Sequence, residues 1–372
     1  MAPPAVIEKP APVTTIIEMP APVTVMPETS GPIVIGEANP VPHIALLLPL
    51  QSANFGSAAA AVQQGFLAAA SLDRLALPVR AYTDFDENNN VVNVYRQAIA
   101  NGARAVVGPL TRNGVAALAG VQNITVPTLS LNMVETAPAQ NMYFFGMAVE
   151  AEARQVAQLS RKQDLHQAII VTTRDQLSKR LQSAFEDDWN TSGGTILREI
   201  EFVEDPSIFA DITDLPGTMV FIAADAQKAR LIRPYLSNRL PIYATSRVFA
   251  GNIDTLINYD LNDIHFVDMP WLLQADHPAV MVYPHAAPPL SIDHERLYAL
   301  GIDAYRLIQL MLANMLSSAL PLDGVSGQIR LNGHTFQRAA TPAVFVQGQA
   351  QLANAPVAPA IQMFPEQPIN NP

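Results

Sequence analysis

The hydrophobic pattern changes character at residue 43. From there on, short apolar runs alternate with longer stretches in which apolar positions recur every three or four residues. His43–Leu50, Val79–Phe85, Ala103–Val107 and Val126–Leu131 are runs with few polar breaks, as expected of strands buried on both faces. Between them, Ser57–Leu75, Asn88–Ala100 and Thr111–Val121 predict helices. The same order restarts after Gly146, with helices over Ala148–Arg161, Gln176–Asn190 and Ala226–Leu236. Strands are predicted over Gln167–Thr173, Thr195–Val203, Gly217–Ala223, Pro241–Thr245 and His265–Val267. A less regular, Pro-rich stretch from Met269 to Leu290 leads into a long helix over Asp293–Ser318. Leu297, Gly301, Ala304, Ile308, Met311 and Met315 form its apolar stripe. Short strands near Gln328–Leu331 and Ala343–Gln347 end the pattern.

Two successive runs of strand–helix alternation indicate an α/β fold of two lobes, each a mostly parallel sheet flanked by helices. The expected division places 43–147 plus about 271–320 in lobe 1, and 148–270 plus about 321–351 in lobe 2. Sheets of this kind place ligand sites beyond the carboxyl ends of their strands, so two lobes predict a cleft between them.

Outside this body the composition shifts. Ten of the 31 Pro fall within residues 1–42 and five more within 352–372, leaving an ordinary content between. The first segment repeats itself, VIEKPAPVTT at 6–15 and IIEMPAPVTV at 16–25. Alternating Pro removes donors and holds the backbone extended, so residues 1–42 read as a disordered, semi-rigid tether and 352–372 as a disordered tail. The whole chain of 372 residues carries a net charge of −11, which argues against nucleic acid as a partner. With no Cys, disulfides, thiolate metal sites and cysteine nucleophiles are excluded.

The search for chemistry is largely negative. His277, His285 and His294 sit in one span but lack the spacing of a helical or short fixed metal pair. There is no G-x-S-x-G elbow, no G-x-G-x-x-G and no phosphate-binding P-loop. Gly324-Val325-Ser326-Gly327 reads as a turn entering a strand. The pairs Asp86/Glu87 and Asp187/Asp188 read as solvated. No enzyme, cofactor or metal site is therefore expected. Polar residues do follow the strands: Ser52, Thr111 and Asn132 in the first unit, and Arg174, Asp225, Ser246 and Arg247 in the second. Taken singly they suit helix caps and turns. Taken together they form a candidate ligand-binding cleft for an amino acid or small anion.

Several strings are familiar. IALLLPLQSANFGSAAAAVQQGFLAA and VVGPLTRNGVAALAG followed by VPTLSLN resemble type 1 periplasmic-binding proteins. PIYATSRVFAG, IHFVDMPWLL and LDGVSGQIRLNG are similar to the penicillin-binding protein activator family, LppC-like outer-membrane lipoproteins. The resemblance covers roughly residues 43–348. It implies a periplasmic protein held to the outer membrane by a lipidated Cys. It also implies docking on a bifunctional class A penicillin-binding protein to stimulate peptidoglycan synthesis. The sequence carries neither signal nor lipidated Cys, and both are expected to lie outside it. Better-known members also carry a helical-repeat domain ahead of this body, which the 42 Pro-rich residues do not supply.

Overall fold

The computed structural model describes residues 40–83 and 90–353. Nearly all of the predicted tether and tail, and the pair Asp86/Glu87, lie outside them. In the first unit the strands are His43–Leu47 (β1), Val79–Tyr82 (β2), Ala103–Val107 (β3), Thr128–Ser130 (β4) and Met142–Phe145 (β5). Helices Gly56–Ala70 (α1), Val91–Ala100 (α2) and Arg112–Ala119 (α3) connect them. The second unit holds Gln167–Thr172 (β6), Thr195–Glu201 (β7), Thr218–Ala223 (β8), Ile242–Ala244 (β9) and Ile264–Asp268 (β10). Its helices are Val149–Arg161 (α4), Gln176–Thr191 (α5), Ala226–Ile232 (α6) and the single turn Thr255–Asn258 (α7). Two further turns, Pro270–Leu273 (α8) and Pro278–Met281 (α9), precede the long helix Ile292–Leu312 (α10) and the turn Leu316–Ala319 (α11). Five strands close the body: Leu322–Gly324 (β11), Gly327–Asn332 (β12), Thr335–Ala339 (β13), Thr341–Val346 (β14) and Gln349–Leu352 (β15).

The strands form two sheets. One runs β11-β12-β13-β5-β4-β3-β1-β2 and the other β15-β14-β10-β9-β8-β6-β7. Each contains the same parallel core, 2-1-3-4-5 in the first and its equivalent 7-6-8-9-10 in the second. Strand order reverses between β1 and β3, and between β6 and β8, where a doubly wound sheet opens a crevice at its strand ends. Both faces of each sheet are covered by apolar clusters, which explains the unbroken runs Ile44–Leu48 and Met219–Ala223.

The division expected from sequence needs one correction. Residues 321–351 do not all join the second lobe. The strands β11, β12 and β13 extend the first sheet, with β13 parallel to β5 through Thr335↔Phe144 and Phe336↔Phe145. Phe336 is buried there against Phe145, ring centroids 6.4 Å apart. Only β14 and β15 join the second sheet, antiparallel to β10 and to each other. The chain thus changes lobe at 146–148, after Asp268 and at Ala340.

The long helix α10 packs along α1 in the first lobe and is buried for most of its length. Small residues set the approach: a Cβ on Gly301 would stand 2.1 Å from the Val62 carbonyl oxygen, and one on Gly65 would stand 1.9 Å from that of Tyr298. Among the described residues no helix is long and apolar enough to cross a membrane.

Candidate functional site

The polar residues predicted at the strand ends are in place, but most serve the local fold. Thr111 Oγ1 accepts from Gly114 N at 3.2 Å and caps α3. Asp225 Oδ1 accepts from Lys228 N at 2.9 Å and caps α6. Ser52 Oγ accepts from Asn54 N and Phe55 N in the turn that enters α1. Asn132 donates from Nδ2 to the Leu110 carbonyl at 3.0 Å, joining the loops after β3 and β4. Bare N–H groups at a helix start invite such acceptors, so Thr111 and Asp225 serve as caps, while Ser52 and Asn132 tie turns and loops.

The two second-unit arginines part company. Arg174 is 78% exposed and donates from Nε to Glu201 Oε1 at 2.9 Å, a pair within the second lobe. Arg247 is half-buried beside Asp175, the cap of α5. Burial pushes the Asp175 carboxyl up. Hydrogen bonds from Thr173 and Ser178, with the Arg247 charge, outweigh that and hold it below the usual range.

Ser246 belongs to something the sequence did not announce: a buried polar seam beside the chain crossings. Glu152, in the first turn of α4, accepts from Arg338 Nη2 at 2.8 Å and from Ser246 N at 3.1 Å. The Ser246 carbonyl accepts in turn from Arg296 Nη2 at 3.0 Å. Arg296, from α10, also forks onto Asp268, with Nη2 to Oδ2 at 2.7 Å and Nε to Oδ1 at 3.1 Å. At the other end, Arg338 Nη1 reaches the Ser326 carbonyl, and Ser326 donates from N and Oγ to Asp303 at 2.7 and 2.6 Å. Arg296, Arg338 and Asp303 come from first-lobe elements; Glu152, Ser246 and Asp268 come from the second. Burial pushes the Asp268 carboxyl up against the opposing pull of Arg296. It would lower Arg296 too, but Asp268, Glu152 and Asp293 together raise that guanidinium above its ordinary value.

A second interlobe contact lies at the starts of α3, α4 and α5. Glu150 Oε1 accepts from Arg112 of the first lobe at 3.2 Å and from Arg180 Nε of the second at 2.7 Å. Its Oε2 is buried without a partner among the described residues. Burial pushes the Glu150 carboxyl up, but its own backbone N–H and the two guanidiniums prevail and hold it below 4.5. Because the folded value is depressed, the contribution is whole above pH 4.5 and fades as pH falls through the lower folded value. Glu150→Gln is expected to speed hydrogen exchange at the starts of α3 and α4 while lowering stability by less than about 1 kcal/mol, since both arginines are partly solvated. Unchanged exchange in those segments would show that this contact does not hold the lobes.

Other polar and aromatic groups serve the local fold. In the Gly324–Gly327 turn, the Ser326 hydroxyl is a donor to Asp303. A Cβ on Gly324 would strike Asp303 Oδ2 and Gly327 O at 2.6 Å, and Gly327 sits at φ +133°. Trp271 is buried, donating from Nε1 to Glu295 at 2.7 Å and packing on His285, and Phe249 lies in the second-lobe core. His277 caps its own turn and His294 pairs with Ser291. Among the described residues no group of His, Cys, Asp and Glu is arranged to hold a metal ion.

Comparison with known proteins accords with this architecture. A curated relative from Dickeya chrysanthemi, named penicillin-binding protein activator LpoA, is 27% identical over 280 residues. The alignment takes in 62% of this chain and 40% of that relative, so the chain spans less than half its length. A solved structure from Chromobacterium violaceum, described as "a putative branched-chain amino acid ABC transporter", is 36% identical with a TM-score of 0.72, covering 82% of this chain and 100% of that one. Full-length LpoA from Haemophilus influenzae shares the fold, with a TM-score of 0.71 at 22% identity, over 85% of this chain and 59% of that one. These neighbours support the two-lobed, type 1 periplasmic-binding-protein-like fold. The profile described as "LppC putative lipoprotein" matches residues 21–217 and 211–348, most of the sequence, and the protein belongs to that family.

Proposed function

We propose that this protein is a non-enzymatic regulator of peptidoglycan synthesis, anchored to the outer membrane as a lipoprotein and facing the periplasm. In this reading its body binds a bifunctional class A penicillin-binding protein and activates it. Family membership and relatives named as activators support the role. The observation that carries it in this chain is the seam. Hinged solute capture requires lobes free to rotate, whereas here buried charges from both lobes are paired across the crossings, and Thr111 and Asp225 at the strand ends already cap helices. A body held this way suits a docking scaffold.

The test is direct. The purified body, mixed with the cognate class A synthase, is expected to bind it and to raise the rate of glycan-strand formation from lipid-linked precursor. Absence of both binding and stimulation overturns the reading.

A second reading, a solute receptor, is favoured by the Chromobacterium neighbour. It predicts that leucine, isoleucine or valine raises the melting temperature, as any ligand selective for the native state must. Arg247→Ala would then abolish the shift. Arg174, paired on the surface with Glu201, would not matter.

A further inference from the structure

A groove of about 600 Å³ lies between α4 of the second lobe and the β12–β13 hairpin of the first. Its lining includes Arg154, Lys162, Arg330 and Arg338 and not one carboxylate, although the chain has 33 acidic residues against 22 Lys and Arg. Arg338 is neutralised by Glu152 behind the wall. Arg154, Lys162 and Arg330 are exposed and enter no ion pair among the described residues. Arg330 is steadied by donating to Gln328 at 2.8 Å. This is a built cationic cleft on an otherwise acidic protein.

From these features we infer that the groove binds an extended, acidic peptide segment of a partner protein. Arg154 on α4 and Lys162, the residue that caps its C-terminus, stand eight residues apart, about 12 Å along the helix axis. An extended chain rises about 3.3 Å per residue, so acidic side chains at i and i+4 match that separation and share one face. The opposite face of such a segment meets the hairpin wall, where Arg330 and Gln337 offer donors. Apolar Met133, Leu159 and Phe336 intersperse the lining, which suits a peptide of mixed composition. A nucleic-acid strand is disfavoured twice over. The only ring in the lining, Phe336, is 2% exposed and gives bases no stacking platform, and the net charge repels polyphosphate at range. Because the two walls belong to different lobes, a bound segment also bridges them. The inference holds whether or not the partner is a cell-wall synthase.

Fluorescence anisotropy on the full chain tests it. The probe is a labelled decapeptide of Thr, Val and two Glu placed four residues apart. Its controls are an isomer with adjacent Glu, a version with Lys for Glu, and a labelled oligothymidylate. Saturable, salt-sensitive binding of the first peptide is expected, tighter than either peptide control. It should weaken about tenfold in Arg154→Glu/Lys162→Glu, whose side chains are exposed and whose melting temperature should stay unchanged. Loss in Arg330→Glu as well would place the peptide against both walls. No saturable binding at low salt, equal binding by the folded charge-reversed variant, or tighter binding of the oligothymidylate would each overturn the inference. Synthase activation measured on the same variants separates the two readings, since the peptide assay contains no synthase.

Discussion

Replacing Arg296 by methionine is expected to lower the stability of the body by about 3–5 kcal/mol, the largest single-residue loss foreseen for this fold. The size follows from what is left behind. Asp268 is wholly buried and receives both arms of the guanidinium, with one further donor from the Met269 N–H. Without Arg296 its charge has no counterion, and the Ser246 and Phe249 carbonyls lose the donor they share. Urea or thermal unfolding would measure the loss. The decisive comparison is Arg296→Met/Asp268→Leu, which removes the stranded charge together with its partner. Recovery of most of the stability in the double variant is the expected result, because a buried pair contributes little net energy while half of one is severely destabilising. Equal loss in the single and double variants would mean that the carbonyl contacts and packing of Arg296, not the ion pair, dominate.

Gly301→Ala is expected to have the second largest effect, a destabilisation of about 3 kcal/mol with a correspondingly lower melting temperature. Alanine is ordinarily the better helix former by about 1 kcal/mol, so propensity alone predicts the opposite sign. Geometry decides against propensity here. The new methyl carbon would stand 2.1 Å from the Val62 carbonyl oxygen and 2.8 Å from Phe66 N, both backbone atoms that have no rotamer by which to yield. The helices α1 and α10 would have to part, opening the cluster that holds Phe66, Tyr298 and Tyr305. Gly120→Ala, at the end of α3, is the control: its added carbon meets nothing closer than 3.5 Å, and stability should scarcely change. Similar melting temperatures for the two variants would show that α10 can shift without loss.

Much of the fold is legible in the sequence because it depends on local period. Ile44–Leu48 and Met219–Ala223 read as buried strands, and Thr111 and Asp225 as caps, from residues a few positions away. The strand β5 escaped because Met142–Phe145 is short and follows an irregular segment. The strand β13 escaped because Thr335–Ala339 merges with its hairpin. The pairing of Arg174 was not legible for another reason. Both it and Arg247 follow strands, but the partner of Arg174 is Glu201 at the end of the neighbouring strand β7, and adjacency across a sheet has no local signature.

By itself the sequence determined two α/β units, a Pro-rich segment ahead of them, the chemistry that lack of Cys excludes, and the family resemblance. These rest on composition and on contacts within a turn of helix or a stretch of strand. Only the tertiary structure decided which sheet β11–β13 extend, which charges pair and where cations remain unpaired. Glu152 meets Ser246 across 94 residues and Arg338 across 186. Glu150 and Glu152, at the start of a helix, read locally as charges answering its dipole. Their role across the lobes exists only because burial removes water from them and leaves distant arginines as the groups able to satisfy them.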